Sequence, residues 1–551
     1  MSLYDTTTTS MKPYHRINDN LSADMWRACD ILRRDNNVGG VMQYTEHLAW
    51  LLFLKFFDQE EKKRAQEAAF RNETYIPVLP PDLAWDAWAG PEALQKWDSS
   101  RGQLVAFVRG RLLPGLASLN GSPLANTIAR LFSDESIGDQ TVVRNVPVCA
   151  SDYNLKEVLT IINEIDFDRD DDFFTITRFY EDLLARMGQE NQIAGEFHTP
   201  RPIIRFMVEV IDPQIGETVY DPACGSAGFL AQAHLWMEKN ARTLEDMEIL
   251  QQCTFYGREK KALAALLGTM NLILHGVTTP NIVRANTLEE SVKTGVAERF
   301  DIVLTNPPFG GKEGRHIQQN FPVPSNATEL LFLQHIVKKL KPTANARAAV
   351  VVPEGTLFRD GAFAEVKRML LDDFHLFAVI SLPPGAFAPY SDVKTALLFF
   401  RHAEGSIVRN SLARYETWYY ELPLPAGLKK FSKGSPILDQ HFAEARLLWA
   451  QWKRWLDGEG ERPFPLAADV RAGGNGAGQP YWVETLDDLR ARGYDLSARN
   501  PYPGERAALP RPAELTARLL ERQRELQAAL ERLHALVSNG DGEENNDGQV
   551  G

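Results

Sequence analysis

Val219-Tyr220-Asp221-Pro222-Ala223-Cys224-Gly225-Ser226-Ala227-Gly228-Phe229-Leu230 places a strand, a tight small-residue turn and a helix start in direct succession. Glycines in such a turn let the backbone approach a ligand closely, and the first N–H groups of the helix are free to donate. The spacing is not Gly-x-Gly-x-x-Gly, which weakens a dinucleotide-binding reading. Alone, the turn fits any nucleotide-binding crossover.

The surrounding texture sets the fold class. Between about 195 and 405, short β-rich runs alternate with helical stretches: Thr218–Tyr220, Thr254–Tyr256, Asp301–Thr305, Ala348–Val352, Phe377–Leu382 and Thr395–Phe400. That alternation predicts an α/β unit with a parallel sheet flanked by helices. Leu376–Leu382 and Ala396–Phe400, on either side of Pro383-Pro384-Gly385, are expected to close the sheet as an antiparallel hairpin. The second strand candidate runs into Glu259, and an acidic residue at that place can grip a ribose diol by hydrogen bonds. Together these features suggest an adenosine-containing cofactor across the carboxyl ends of the strands.

A third stretch points to the chemistry. The buried strand Phe300-Asp301-Ile302-Val303-Leu304-Thr305 enters Asn306-Pro307-Pro308-Phe309-Gly310 directly. An exocyclic adenine amine is a poor nucleophile because its lone pair is conjugated into the ring. The Asn306 side-chain oxygen and a backbone carbonyl at Pro307 can bind its two N–H groups and favour a tetrahedral nitrogen. Pro307 and Pro308 stiffen the loop, and Phe309 offers a face on which an extruded base can stack. No strong base is needed, since the proton can leave after methyl transfer.

These segments resemble the S-adenosylmethionine-dependent amino-methyltransferases, with DPACGSAG as cofactor loop and NPPF as catalytic loop. Gly195-Glu196-Phe197-His198-Thr199-Pro200-Arg201 precedes both, the gamma-type order of adenine-N6 enzymes. It is similar to the GEFYTPR stretch of the modification (M, HsdM) subunits of type I restriction–modification systems. Ala285-Asn286-Thr287-Leu288, Val352-Pro353-Glu354-Gly355, Leu382–Phe387 and Arg492–Ser497 also match that family. The resemblance covers about Asp24 to Val537. It implies a Rossmann-like methyltransferase sheet with an N-terminal all-helical domain. It also implies that Glu196, Phe197, His198, Thr199, Pro200 and Arg201 pack around the methionine end of S-adenosylmethionine. Asp221, Ala223, Cys224 and Gly225 would surround its amino-acid part, Glu259 would hold the ribose, and Asn286 would lie near the adenine. His198 stands where tyrosine is usual, and Ala227 where glycine is frequent. Cys224 reads as a small packing residue, not a nucleophile.

The rest of the chain frames that unit. Of 551 residues, 44% are hydrophobic and 24% charged, the balance of a soluble globular protein. Cys29, Cys149, Cys224 and Cys253 form no Cys-x-x-Cys pair, so neither a disulfide framework nor a metal site is expected. No secretory h-region or membrane span is expected, and a cytoplasmic setting follows. Residues 1–15 and the acidic stretch 538–551 read as disordered tails. Residues 16–190 read as a helical domain, with Met25, Cys29 and Leu32 on one helix face and Leu48, Leu51, Leu52 and Phe56 on another. His47–Phe57 reads as a buried helix and Ile76–Pro91 as a loop. Residues 191–405 are the expected methyltransferase domain, and 406–480 an α/β extension and linker with a strand at Glu416–Glu421. Within 481–537, Leu515, Leu519, Leu526, Leu530, Leu533 and Val537 mark an amphipathic C-terminal helix for subunit docking or for packing on its own domain.

The net charge of −13 counts against a chain that grips DNA unaided, because phosphate contacts supply most of such affinity. No Gly-x-x-x-x-Gly-Lys-[Ser/Thr] loop is present, so ATP-driven translocation is not encoded. The resemblance implies double-stranded DNA as substrate, a DNA-specificity subunit, a motor/nuclease restriction subunit and two copies per complex, in restriction–modification or a related phage-defence system. Two other readings stay open: methyl transfer to a protein amide, and a non-catalytic assembly scaffold of the same fold.

Overall fold

The computed structural model describes residues 19–133, 143–167, 199–277, 279–293, 298–388, 391–403, 415–471, 478–497 and 499–502, with scattered positions elsewhere. Glu196, Phe197, His198, both expected tails and most of the expected C-terminal helix lie outside these residues. The chain forms two compact units. The larger comprises Met1–Ala468 with Pro480–Arg499, and the smaller Asp469–Gln479 with Asn500–Gly551. In the smaller unit, Asn500 Nδ2 donates to the Gln479 carbonyl at 3.1 Å.

The larger unit is built on one nine-stranded sheet. Its strands are β1 (Val219–Asp221), β2 (Phe255–Glu259), β3 (Asn281–Arg284), β4 (Ile302–Thr305), β5 (Arg347–Pro353), β6 (Phe374–Ser381), β7 (Thr395–His402), β8 (Glu416–Glu421) and β9 (Tyr481–Thr485). The order is β3-β2-β1-β4-β5-β7-β6-β8-β9. β1 to β5 pair in parallel, whereas β7 runs antiparallel between β5 and β6. Every residue of β4 and β6 is buried, as expected where helices cover both faces of a sheet. From β1 the chain builds outward to β3, then returns to place β4 on the other side of β1. That reversal leaves a crevice at the carboxyl ends of β1 and β4, where open α/β sheets take ligands.

The six quoted strand runs all fall on strands, and β6 pairs with β7 as expected. The pair does not close the sheet, however. β8 adds in parallel to β6, and β9 adds antiparallel to β8. Aromatic packing explains this extension: Trp418 and Tyr420 of β8 are fully buried, and Trp452 from the helix Ala443–Leu456 donates to the Phe377 carbonyl at 2.9 Å.

Two helices, Asp19–Arg33 and Val41–Phe70, dominate the N-terminal layer. Met25, Cys29 and Leu32 are buried on the first; Leu48, Leu51, Leu52 and Phe56 are buried on the second. The 76–91 segment departs from a plain loop through a short helix, Trp85–Trp88, whose two tryptophans are buried. Its start is fixed by the Asp58 carboxylate, which accepts from the Trp85 N–H at 2.9 Å. Thr127 donates to the Pro280 carbonyl at 3.2 Å, and the helix Val41–Phe70 packs on the helix Ala262–Leu274. The N-terminal layer therefore rests on the β2–β3 side of the sheet.

Candidate active site

β1 ends at Asp221, and the turn after it is left-handed at Gly225 (φ +51) and Ala227 (φ +58). Glycine adopts that region freely, whereas alanine resists it, so Ala227 sits where glycine would be relaxed. The helix Gly228–Glu238 then leaves the turn. The Asp221 carboxylate is buried, and its Oδ1 accepts from the Ala223 N–H at 3.0 Å and the Thr305 hydroxyl at 2.7 Å. Burial pushes its pKa up to about 7, against the opposing pull of those two hydrogen bonds.

Glu259 closes the turn from the neighbouring strand. Its Oε2 accepts from the Gly225 N–H at 3.0 Å, and its Oε1 from the Lys261 N–H at 2.7 Å. Burial raises its pKa as well. Each carboxylate oxygen keeps a second lone pair, so hydroxyl donors can still be bound. Cys224 is buried against Gly257, where an added Cβ would come within 2.9 Å of its Sγ. Burial drives the thiol pKa well above its ordinary value, which disfavours the nucleophilic thiolate.

A cavity of about 630 Å³ opens beside this turn, a volume typical of small-molecule sites. Ala223, Glu259, Asn286 and Pro308 line it together. Thr287 ties two of its walls, donating to the Pro222 carbonyl at 2.6 Å. Asn286 Oδ1 accepts from the Leu288 N–H at 3.3 Å, and its Nδ2 donates to Glu289 at 3.2 Å. Sequence reading missed Lys260, Lys261, Gly311, Lys312, Thr328 and Phe332 on the same wall. Thr328 and Phe332 belong to the helix Thr328–Lys339, which carries no motif that could have found them.

The Asn306-Pro307-Pro308-Phe309 loop leaves β4 at the lip of the cavity. Asn306 Nδ2 donates to the Thr199 hydroxyl at 2.9 Å. Its Oδ1 is shielded from solvent and meets no donor among the described residues. Phe309 is half-buried against the main core. Pro200 caps the helix Arg201–Ile211, and Arg201 is half-buried at its first position and is not among the residues that line the cavity. Among the described residues, no cluster of His, Cys, Asp and Glu could hold a metal, and no helix is long and apolar enough to cross a membrane.

A doubly wound sheet whose switch point carries a glycine-turn cavity beside an Asn-Pro-Pro-Phe loop defines a methyltransferase of amino groups. The N-6 DNA Methylase profile matches residues 169–507, and the HsdM N-terminal domain profile residues 21–162. The chain belongs to the N-6 DNA methylase family and, within it, to the methylase subunits of type I restriction enzymes. It is 35% identical to the EcoEI methylase subunit of Escherichia coli, over 90% of this chain and 93% of that one. It is 31% identical to the StySPI methylase subunit of Salmonella potsdam, over 77% and 75%. A solved chain from work on complex assembly and conformational transition of the type I R-M system shares 53% identity. It covers 95% of this chain and 99% of its own, with a TM-score of 0.70.

Proposed function

We propose that this chain transfers a methyl group from S-adenosylmethionine to the N6 amine of an adenine swung out of double-stranded DNA. The observation that carries the reading is Asn306 Oδ1, a dry acceptor without a donor among the described residues, held at the carboxyl end of β4. A buried unpaired acceptor costs about 1–3 kcal/mol, and an incoming amine N–H relieves that cost. The Pro307 carbonyl takes the second N–H, and Phe309 stacks on the base. With both N–H groups held, the nitrogen lone pair turns out of the ring plane toward the donor. The cofactor supplies the electrophilic methyl.

The cavity suits an adenosine-bearing ligand in size and in its acceptor at Glu259. Glu259 binds the ribose, Asn286 borders the adenine, and Asp221, Ala223, Cys224 and Gly225 surround the amino-acid part. Glu196 to Arg201 enclose the methionine end. Site choice falls to a DNA-specificity subunit, with two methylase copies per complex and a motor/nuclease subunit for restriction, in the cytoplasm. The N-terminal helical layer and the C-terminal segment are the docking parts.

Labelled methyl transfer to duplex DNA, with and without a co-purified specificity subunit, tests the reading. Wild type labels adenine N6 and Asn306→Ala does not. Equal labelling by both removes the mechanism, and label found only on protein removes DNA as the substrate.

A further inference from the structure

An asparagine amide presents one acceptor and two donors, and half a turn about its last bond exchanges them with little change of shape. For the methyl transfer proposed above, the two orientations are not equivalent. Oδ1 toward the target amine makes a hydrogen bond; Nδ2 in its place sets N–H against N–H. With the nitrogen bound elsewhere the target meets the oxygen, so the amide needs a fixed support outside its own loop.

The two partners in the Asn306–Thr199 contact are unusually stiff for loop residues. Each immediately precedes a proline, Pro307 and Pro200, and the residue before proline is confined to extended backbone. Thr199 is also β-branched, so few side-chain rotamers are open to it. Pro200 leads directly into the helix Arg201–Ile211, whose Ile203, Ile204, Phe206 and Met207 are buried. That helix packs closely on Gly228–Glu238, where a Cβ on Gly228 would stand 2.9 Å from Ile204 Cδ1. The Thr199 hydroxyl is thus a fixed point on the scaffold. It accepts from Asn306 Nδ2 at 2.9 Å, while Oδ1 faces a place with no described donor.

We infer that Thr199 is a positioning residue for the reaction: its hydroxyl anchors the Asn306 side chain through Nδ2 and leaves Oδ1 at the place the target amine would take. This rests on the methyl-transfer reading and departs from it at one residue, because Thr199 then acts on the catalytic amide and not chiefly on the cofactor. Thr199 is not among the residues that line the cofactor cavity, and the loss of its hydroxyl frees the Asn306 side chain from its support.

The test uses the full chain with its specificity subunit and compares wild type with Thr199→Val, Thr199→Ala and Thr199→Ser. Cofactor affinity is measured by calorimetry, kcat at saturating cofactor by labelled transfer to DNA, and folding by thermal melting. The expected result is a kcat lowered roughly 10- to 100-fold in the valine and alanine variants. Their cofactor Kd and melting midpoint stay at wild-type values, and serine recovers most of kcat. A valine variant with wild-type kcat overturns the inference. So does one whose deficit is a weakened cofactor Kd with kcat restored at saturation, since the hydroxyl then grips the cofactor. Wild type that transfers no methyl to DNA removes the underlying reading instead, which no comparison among the variants can imitate.

Discussion

The Thr305 hydroxyl donates to Asp221 Oδ1 at 2.7 Å, joining the last residue of β1 to the residue immediately before Asn306. Both groups are buried, and they lie on the two strands that flank the switch point. One contact thus sets the cofactor turn and the catalytic loop relative to each other. Thr305→Val keeps the shape but leaves a buried carboxylate with one donor fewer. A loss of about 1–3 kcal/mol is expected, read from the urea unfolding midpoint, together with reduced methyl transfer; Thr305→Ser stays near wild type. An unchanged midpoint in the valine variant would show that the contact contributes nothing to the fold.

Asp221 also gives the fold a pH dependence of known sign. Burial raises its pKa from the ordinary 3.8 to about 7, so the folded chain keeps a proton that the unfolded chain has lost. Its contribution is fully present below the unfolded value and declines as pH rises through the folded one. Glu259 shifts in the same direction, also through burial. The melting-point difference between wild type and Asp221→Asn is expected to move in favour of the asparagine variant as pH goes from about 4 to about 7. It levels off above that range. A difference that stays constant across the window rules out Asp221 as the buried acid.

Glu259 works with both oxygens at once, bridging the Gly225 and Lys261 N–H groups. Glutamine retains only one acceptor and turns its own N–H groups toward a backbone N–H. Glu259→Gln is expected to cost about 1–3 kcal/mol of stability. It should also weaken S-adenosylmethionine binding at least tenfold, about 1.4 kcal/mol, by calorimetry. If the variant binds the cofactor as wild type does, Glu259 serves the turn and not the ribose.

Local pattern made part of this site legible in sequence. β1 and β4 announce themselves as β-rich runs that meet a small-residue turn and a proline loop; Glu259 follows from its place at a strand end, Asn306 from the loop after β4, and Asp221 from the family resemblance. β3 escaped notice because Asn281–Arg284 is short and only Ile282 is fully buried, so neither a continuous apolar run nor a clear alternation marks it. The ladder partner of β9 is β8, some sixty residues earlier, and nothing local demands that pairing. Thr328 and Phe332 reach the cavity from a helix that is buried nearly all round, so its apolar pattern does not single them out. The Thr199–Asn306 contact spans 107 positions. The sequence made both residues candidates, Asn306 by its loop and Thr199 by the resemblance, but only the fold paired them.

Gly268 is the position where local and tertiary physics give opposite answers. It lies inside the helix Ala262–Leu274, and in an isolated helix alanine would be preferred there by about 1 kcal/mol. Here an added Cβ would stand 2.9 Å from the Gly225 carbonyl oxygen, 3.1 Å from Ile282 Cδ1 and 3.3 Å from Ala227 Cβ. The first of these is backbone and cannot rotate away, so the methyl must push the turn that Glu259 holds from the other side. Gly268→Ala is therefore expected to lower the melting midpoint and to weaken cofactor binding together. Gly110→Ala is the control: nothing lies within 4 Å of that Cβ, so it should be neutral or slightly stabilising, with cofactor affinity untouched. If Gly268→Ala melts at or above the wild-type temperature and binds cofactor equally well, helix propensity outweighs the packing and the turn is free to adjust.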